Sequence, residues 1–322
     1  MRRLLVAAIG TALALTGCAA PYDDDGEVAL DAGMALRPAV PEATRPDATP
    51  VVVDTDLGGD DLAALAFLLR HPAVDVRAIT VAGAGLVGCD PGVDIVADLL
   101  TDLAEEPVPV ACTTATSDGL PFPEEWRRLA ATGTGIPRPS STLPAEPGSA
   151  SSLVARLARR HDDLVLVALG PMTTVAELAE TSPGTLGRLA GVHAMGGSVD
   201  GPPIDGVAEW NAAADPASFE TVLAAGVPLT IVPEDAIPMG TPEVLFSAPV
   251  VSRVAATIDY PAWWDLATAA ALVTGATETT TGQWVLDDEV PGRLVHVGDG
   301  EVAVVTSMDA TSLEAAYAEA LG

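Results

Sequence analysis

The sequence predicts an α/β fold: an open, mostly parallel sheet with helices on both faces and a small antiparallel C-terminal strand region. Two observations lead to this prediction. Short apolar runs alternate with helical patterns through most of residues 49–322, and such alternation is typical of a parallel sheet that helices cover. Towards the C-terminus the runs are closely spaced around Gly and Asp, which favours antiparallel strands.

The elements follow in order along the chain. Six apolar runs predict parallel strands, at residues 50–54, 74–80, 108–112, 164–169, 191–195 and 227–232. Five amphipathic or buried patterns predict helices, at residues 61–70, 93–103, 151–160, 173–180 and 216–225. The C-terminal region predicts short antiparallel strands around a Gly-Asp-Gly turn and then a helix, at residues 282–287, 293–297, 301–306 and 312–321.

The N-terminal segment predicts a targeting signal. Residues 1–17 form a lipoprotein signal peptide in this interpretation, because a basic pair precedes an apolar stretch too short to span a bilayer. The stretch ends in Leu-Thr-Gly-Cys, which resembles a bacterial lipobox with Cys18 as the lipid-bearing residue. An ordinary cleaved secretory signal is the alternative. Residues 18–48 are rich in Pro, Ala and Asp and predict a flexible tether, which leaves residues 49–322 as the domain. We therefore expect an extracytoplasmic protein anchored to the bacterial cell membrane.

The charge balance argues against nucleic-acid binding. The chain has 45 acidic and 15 basic residues, a formal net charge of −30. Such a surface repels the phosphate backbone and anionic lipid headgroups. A DNA or RNA partner is therefore not expected.

Two cysteines remain if Cys18 carries lipid. In an oxidising compartment, Cys89 and Cys112 are expected to form a disulfide. Two unpaired, half-buried thiols are the alternative. The spacing of Cys and His residues does not indicate a metal site formed by those residue types.

One segment is long for a loop. Residues 113–149 are rich in Ser, Thr, Pro and Gly and contain Phe122 and Trp126. Long irregular segments in compact domains are usually lids or disordered. Large aromatic side chains favour the lid, in which Trp126 would contact substrate.

Four carboxylates crowd into the segment after the first predicted strand. Asp54 and Asp56 lie at the C-terminal end of that strand, and Asp60 and Asp61 open the next helix. The helix N-terminus offsets only about 1 kcal/mol or less per group. A hard divalent cation is the expected partner, since Ca²⁺ takes several carboxylate and carbonyl oxygens and ligands bind beyond the carboxyl ends of such strands.

Three interpretations of this segment compete. In the first, Asp60 or Asp61 caps the helix and the other carboxylates are solvated. In the second, Asp-x-Asp belongs to an aspartyl-phosphate phosphatase, which is disfavoured because Leu57 follows and the chain has no Lys. The third is a family: DTDLGGDD resembles the Asp-x-Asp-x-Gly-x-Asp-Asp signature of inosine–uridine-type nucleoside hydrolases, calcium enzymes that cleave N-ribosidic bonds.

Further segments resemble the same family in the same order. They are AITVAGAG, VALGPMTTVAEL, MGGSVDG, AEWNAAADP and WWDLATAAAL, at residues 78–85, 167–178, 195–201, 208–216 and 263–272. The segments CDPGV, PVAC and FPEEWR resemble a secreted subgroup, which supports the pairing of Cys89 with Cys112. The resemblance extends over nearly the whole domain and implies a nucleoside hydrolase-like fold.

The resemblance implies a calcium site formed by distant parts of the chain. Its ligands would be the carboxylates of Asp56, Asp61 and Asp265 and the backbone carbonyl of Leu169. Asp265 could instead simply cap the helix that follows it. Asp56 would also be the general base, taking a proton from water as the water attacks the anomeric carbon.

The resemblance also implies the contacts to a nucleoside. Asp60 would bind the 2′-hydroxyl and Asp265 the 3′-hydroxyl of the ribose. The 5′ end and the lower face of the sugar would be held by Glu209, Asn211 and Met195.

The base side departs from the family pattern. Trp264 stands where many relatives have a His that protonates the leaving group, and His71, His161, His193 and His296 fall in no matching motif. Some purine-preferring relatives carry Trp there, so Trp264 implies stacking on a purine that raises its basicity. An aromatic filling a core gap is the alternative. Ala84 replaces a polar residue of the family, which removes a contact to sugar or base.

Two functions follow as expectations. The first is a membrane-tethered, Ca²⁺-dependent hydrolase of ribonucleosides, with purines favoured, acting in nucleoside salvage. The second is a calcium-stabilised lipoprotein that binds a nucleoside or ribose-like ligand with little or no turnover. Ala84 favours the second, whereas Asp56 and Asn211 favour the first. A homo-oligomer is possible, since relatives often form one.

Overall fold

The computed structural model describes residues 45, 47–113, 115–137 and 145–322. The predicted signal peptide, Cys18 and nearly all of the tether lie outside these residues. In the part of the chain described, the sheet has eight strands: β1 Thr49–Thr55, β2 Val74–Val81, β3 Val110–Cys112, β4 Val165–Ala168, β5 Gly191–Met195, β6 Leu229–Val232, β7 Thr277–Leu286 and β8 Leu294–Met308.

The sheet order confirms the predicted fold class. The strands lie in the order β3-β2-β1-β4-β5-β6-β8-β7. All neighbouring pairs are parallel except β7 and β8. The six predicted parallel strands are all present, and β5 has the predicted bounds.

Helices cover both faces. They are α1 Gly59–Arg70, α2 Cys89–Leu103, α3 Glu124–Ala130, α4 Ala150–Ala158, α5 Thr173–Thr181, α6 Pro183–Leu186, α7 Trp210–Ala214, α8 Pro216–Leu223, α9 Val251–Ala255, α10 Trp264–Thr274 and α11 Ala310–Leu321, with 3₁₀ turns at Glu234–Ala236 and Glu243–Phe246. Two clusters of buried apolar residues, one against α1 and α10 and one against α4, α5 and α8, form the core. None of the helices in the described ranges is long and apolar enough to cross a membrane.

The predicted C-terminal strands were partly wrong. The Gly-Asp-Gly segment is not a turn, because β8 runs continuously through it as a bulge: Gly282 pairs with Val302 and the next residue, Gln283, with Gly298. The turn lies instead between Leu286 and Leu294. In addition, β8 continues the parallel sheet beside β6. Turn residues and bulge residues are the same types, so local sequence does not separate them.

The segment predicted as a lid contains ordered structure. Helix α3 lies within it, and Phe122 is buried against Trp210, with ring centroids 5.8 Å apart. The backbone N–H of Leu120 donates to the carbonyl of Ala213 at 2.9 Å. This part of the segment is therefore attached to α7. Cys89 and Cys112 form a disulfide between the start of α2 and the end of β3.

Candidate active site

The carboxyl ends of the parallel strands bring residues from distant parts of the chain to one edge of the sheet. Strands β1, β4, β5 and β6 are neighbours in that order. Asp56 follows β1, Leu169 follows β4, and Met195 ends β5. This is the edge at which open α/β sheets bind ligands.

Asp56 is tightly enclosed by backbone. Its Oδ2 accepts a hydrogen bond from the backbone N–H of Leu86 at 3.1 Å. A Cβ atom added to Gly85 would overlap the Asp56 side chain, and one added to Gly170 would lie 2.9 Å from its Cβ. Any larger residue at these positions would displace Asp56, so the space that its side chain occupies depends on both glycines.

Asp61 is held at the start of α1. Its Oδ1 accepts hydrogen bonds from the Thr55 hydroxyl at 2.5 Å and from the backbone N–H of Asp56 at 3.2 Å. Its Oδ2 accepts one from the backbone N–H of Gly58 at 2.9 Å. Asp61 therefore ties the end of β1 to the first turn of the helix.

Asp265 reaches the same place from α10. Carboxylate oxygens of Asp60, Asp61 and Asp265 all lie within 4.8 Å of one another. The backbone N–H of Asp265 donates to Oδ2 of Asp60 at 3.4 Å, although the two residues are 205 positions apart. We refer to Asp56, Asp60, Asp61 and Asp265 as the acidic cluster.

The acidic cluster is electrostatically strained. Burial raises the pKa of Asp60 from 3.8 to about 7, and the charge of Asp61 adds to the effect. Burial, and then the charge of Asp61, raise the pKa of Asp56 well above its ordinary value. Burial and the charge of Asp60 do the same for the pKa of Asp265. Ionising all four carboxyls together is therefore unfavourable without an opposite charge.

These residues fit a hard divalent cation. The donors are carboxylate oxygens, which Ca²⁺ and Mg²⁺ prefer. Oδ1 of Asp265 is buried and finds no hydrogen-bond partner among the described residues. An orphaned buried acceptor of this kind costs about 1–3 kcal/mol. A cation among the carboxylates would satisfy that oxygen and offset the charge.

Asn211 connects two other predicted residues. Its Nδ2 donates to the backbone carbonyl of Leu169 at 2.7 Å and lies 3.3 Å from Sδ of Met195. The Leu169 carbonyl, a predicted metal ligand, has a second lone pair that remains available. Asn211 therefore orients the ends of β4 and β5 relative to each other.

Glu209 caps helix α7. Its Oε1 accepts from the backbone N–H of Asn211 at 2.6 Å. Its Oε2 accepts from those of Ala212 at 2.8 Å and Gly197 at 2.7 Å. These bonds hold the carboxylate in the helix N-terminus, so its predicted contact with the 5′ end of a nucleoside would have to compete with them.

The aromatic residues form two groups. Trp264 is partly exposed and lies beside Tyr260, with ring centroids 5.9 Å apart. Trp126 is 44% exposed and meets Trp210 edge-on at 5.3 Å. In the described structure, Trp126 therefore lies against α7, whereas Trp264 lies at the start of α10, one residue before Asp265.

Sequence reasoning missed several residues of this site. Tyr260 is partly buried. Burial, and then the charge of Asp60, raise the pKa of its hydroxyl, whereas a hydrogen bond from the backbone of Gly59 opposes the rise. Thr55 and Gly170 hold Asp61 and Asp56, as described above. Thr55 and Gly170 stand inside the quoted motifs, so their position there was a usable signal, whereas Tyr260 lies in a segment without one.

Two of the four histidines have structural surroundings. His193 is buried and its Nε2 lies 2.9 Å from the carbonyl of Thr268. Burial lowers the pKa of His193 to about 4, so the ring is neutral. His296 packs against Trp284, with ring centroids 4.9 Å apart.

Comparison with known proteins agrees with this geometry. The statistical description of one family, the inosine-uridine preferring nucleoside hydrolases, matches residues 51–314. The chain belongs to this family. The match includes every residue of the acidic cluster and both α1 and α10.

Two curated relatives are named for pyrimidine nucleosides. The pyrimidine-specific ribonucleoside hydrolase RihA of Salmonella schwarzengrund (strain CVM19633) is 30% identical over 194 residues, and that of Klebsiella pneumoniae (strain 342) is 30% identical over 188 residues. Each alignment covers 57% of this chain and 60% of the relative. The chain thus matches about three fifths of the length of these curated nucleoside hydrolases.

Solved nucleoside hydrolases share the fold over a longer span. The inosine-uridine preferring enzyme of Bacillus anthracis has a TM-score of 0.74 at 20% identity, covering 85% of this chain and 99% of its own. The purine-preferring ribonucleoside hydrolase of Gardnerella vaginalis has a TM-score of 0.73 at 20% identity, covering 84% and 98%.

Proposed function

We propose that the chain hydrolyses the N-glycosidic bond of ribonucleosides to ribose and free base, with Ca²⁺ bound in the acidic cluster. The observation that supports this most directly is the convergence of Asp60 and Asp61 from α1 with Asp265 from α10. It occurs at the strand ends where Asp56 stands, in a chain of the nucleoside hydrolase family.

Asp61 and Asp265 would hold the cation, together with Asp56 and the carbonyl of Leu169. When bound, a divalent cation would offset the clustered charge and make a nearby water easier to deprotonate. Asp61 is already fixed by Thr55 and Gly58, so that part of the site is pre-organised. The orphaned oxygen of Asp265 would gain a partner.

Asp56 would be the general base. Leu86 and the two flanking glycines hold its carboxylate at the edge of β1. It would take the proton from a water that attacks the anomeric carbon. A positioned general base typically raises the rate of such reactions by about 10²–10⁴-fold. The oxocarbenium-like transition state carries positive charge, which the surrounding carboxylates stabilise.

The ribose would lie over the ends of β4 and β5. Asp60 and Asp265 would bind the 2′- and 3′-hydroxyls, and Met195 would pack against the sugar. Asn211 already contacts Leu169 and Met195, so it would align the metal ligand with the sugar. Glu209 would contribute chiefly by fixing Asn211, whose backbone N–H it binds.

Trp264 would hold the base. Its partly exposed indole stands next to Asp265 in the chain and beside Tyr260. Stacking on a purine would raise the basicity of the leaving ring, so that solvent could protonate it. Purine preference is the proposal that Trp264 supports, even though the curated relatives are named for pyrimidine nucleosides.

Trp126 would approach the substrate from the segment attached to α7. Its exposed fraction of 44% leaves indole surface available for a ligand. Trp210, which Trp126 contacts, is the neighbour of both Glu209 and Asn211 in the chain. The segment would thus respond to occupancy of the ribose site.

Location and assembly belong to the same proposal. Lipid on Cys18 would anchor the protein outside the cytoplasm and place it where nucleosides are salvaged. Conversion of Cys18 to Ala should move the protein from the membrane fraction to the soluble extracytoplasmic fraction. Unchanged membrane association would remove Cys18 as the anchor. Sedimentation of the lipid-free protein would show whether it forms a homo-oligomer.

The activity test is direct. The protein is incubated with inosine, adenosine, guanosine or uridine, with Ca²⁺ or with a chelator, and ribose release is measured. We expect release that requires Ca²⁺ and is faster for the purine nucleosides. Faster release from uridine would contradict the proposed purine preference but not the proposed hydrolase activity. Binding without release, unaffected by Asp56→Asn, would select the alternative, a nucleoside-binding lipoprotein.

A further inference from the structure

Glu234 is a carboxylate that the proposed reaction leaves without a role. It follows β6 by two residues, and Met195 at the end of β5 pairs with Val232 at the end of β6. The backbone N–H of Glu234 donates to the carbonyl of Gly197 at 2.8 Å. Glu234 therefore stands at the same edge of the sheet as Met195.

Glu234 and Glu209 lie on either side of Gly197 and differ in their hydrogen bonds. The N–H of Gly197 donates to Glu209, whereas its carbonyl accepts from the backbone of Glu234. Glu209 is buried and accepts three backbone N–H bonds. The carboxylate of Glu234 is partly exposed and accepts no hydrogen bond from the residues that the structure describes.

The charges around Glu234 are mainly negative. Burial raises its pKa to about 7, with further increases from Glu209 and Asp235, and Arg293 opposes them. Arg293 already donates from Nη1 to the carbonyl of Val199 and from Nη2 to that of Gly201, both at 2.6 Å. Its guanidinium is therefore engaged with the loop after β5.

We propose that Glu234 makes the site select nucleosides over nucleotides by repelling a phosphate on the 5′ carbon. This inference rests on the proposed function, with the 5′ end of the sugar placed near Glu209 as the family resemblance implies. A neutral 5′-hydroxyl can donate to the Glu234 carboxylate, and a 5′-ammonium group can pair with it. A phosphate dianion has no proton to donate and meets two carboxylates.

The test compares Glu234→Gln with the wild-type protein. Base release is measured from inosine and uridine and from their 5′-monophosphates, with Ca²⁺, at a pH about one unit above the pKa of Glu234 so that the carboxylate is charged. We expect kcat/KM for the monophosphates to rise at least about tenfold in the variant. The value for the nucleosides should change much less.

Glu180→Gln is the matched control. Glu180 is an exposed carboxylate near the C-terminal end of α5, and its removal changes the net charge equally. It should leave both substrates unchanged. An equal rise in kcat/KM for the monophosphates in Glu180→Gln would mean that the effect comes from the net charge. An unchanged ratio of kcat/KM between monophosphates and nucleosides in Glu234→Gln would overturn the role of Glu234.

A measurement on the wild-type protein covers the case in which the variant does not fold. A nucleoside with a 5′-amino group should bind more tightly than its 5′-hydroxyl counterpart, and the monophosphate should bind most weakly. A monophosphate that binds as well as the nucleoside would overturn the proposal. If no nucleoside is hydrolysed at all, the proposed function fails, and this equilibrium-binding series still decides the role of Glu234.

Discussion

Two sets of buried carboxylates lie near the same edge of the sheet and are stabilised in opposite ways. Glu209 and Asp215 cap helices: Glu209 accepts three backbone N–H bonds, and Asp215 accepts from the backbone N–H of Ser218 at 3.2 Å and the hydroxyl of Thr173 at 2.8 Å. In the acidic cluster Asp61 also accepts backbone N–H bonds, but its carboxylate faces those of Asp60 and Asp265.

The difference separates structural acids from candidate functional acids. A capping carboxylate is satisfied by the fold itself, because helix N-termini supply donors and positive potential. The acidic cluster is not fully satisfied in this way, since Asp265 keeps an oxygen without a partner in the described structure. Burial, and then the charge of Asp61, also raise the pKa of Asp56 and Asp60. Such a cluster stays partly protonated or takes up an opposite charge, which the proposed cation would supply.

Changing one acid of the cluster should have the largest effect on activity. Asp56→Asn should lower kcat/KM for nucleosides by about 10²–10⁴-fold, because the general base is lost. Without divalent cation the melting temperature should stay the same or rise, since one repelling charge is removed. Ribose release and thermal unfolding measure the two effects. A variant that retains activity would exclude Asp56 as the base.

The pH dependence of stability gives the next largest effect. Asp54 and Asp60 have their pKa raised from 3.8 to about 7 in the folded chain, chiefly by burial. The folded chain keeps protons that the unfolded chain releases. The free energy of unfolding should therefore decrease as the pH rises from about 4 to about 7. Ca²⁺ should reduce this loss by binding ionised cluster carboxylates.

Unfolding by urea across this range, with chelator or with Ca²⁺, checks the prediction. The two series should agree near pH 4, where the carboxyls are protonated, and diverge towards neutral pH. Parallel curves would mean that the cation does not bind the ionised acidic cluster.

Changing a capping acid should have a smaller effect of a different kind. In Glu209→Gln one acceptor oxygen becomes an N–H donor, so a backbone donor of Gly197, Asn211 or Ala212 loses its partner. An unsatisfied buried donor costs about 1–3 kcal/mol. Urea unfolding should show this loss, and Ca²⁺ should still bind, because Glu209 is not itself a proposed ligand. A Glu209→Gln variant that is more stable than the wild-type protein would mean that the Glu209 carboxylate is destabilising, like those of the acidic cluster.

Trp126→Ala should have the smallest effect on stability. Its side chain is 44% exposed and touches Trp210 at the edge, so the loss should be under about 1 kcal/mol. Nucleoside affinity should weaken if the segment covers the substrate. Equal losses in affinity and stability would instead make Trp126 a packing residue of α7.

The sequence predicted the sheet well because its signals are local. The parallel strands are nearly continuous apolar runs, and this property is visible without knowledge of their partners. The prediction of a turn at the Gly-Asp-Gly segment, residues 298–300, was wrong because the contact that decides its structure is distant in the sequence. Pairing of Ala303 with Thr230 keeps β8 in the sheet, and nothing near residue 300 encodes it.

The candidate site was predictable to the extent that motifs mark it. Family resemblance pointed to Asp265, which local patterns alone would assign to a helix N-terminus. The N–H bond from Gly197 to Glu209 was not predictable, because Gly197 comes from another loop. The pairing of Trp126 with Trp210 likewise depends on how the long segment packs on α7.

Calorimetric titration with Ca²⁺ shows whether α1 and α10 share a cation. We expect one bound cation per wild-type chain, binding lost or greatly weakened in Asp61→Asn and Asp265→Asn, and binding retained in Glu209→Gln. Equal affinity in Asp265→Asn and the wild-type protein would contradict this expectation, because α1 and α10 would then not share the cation.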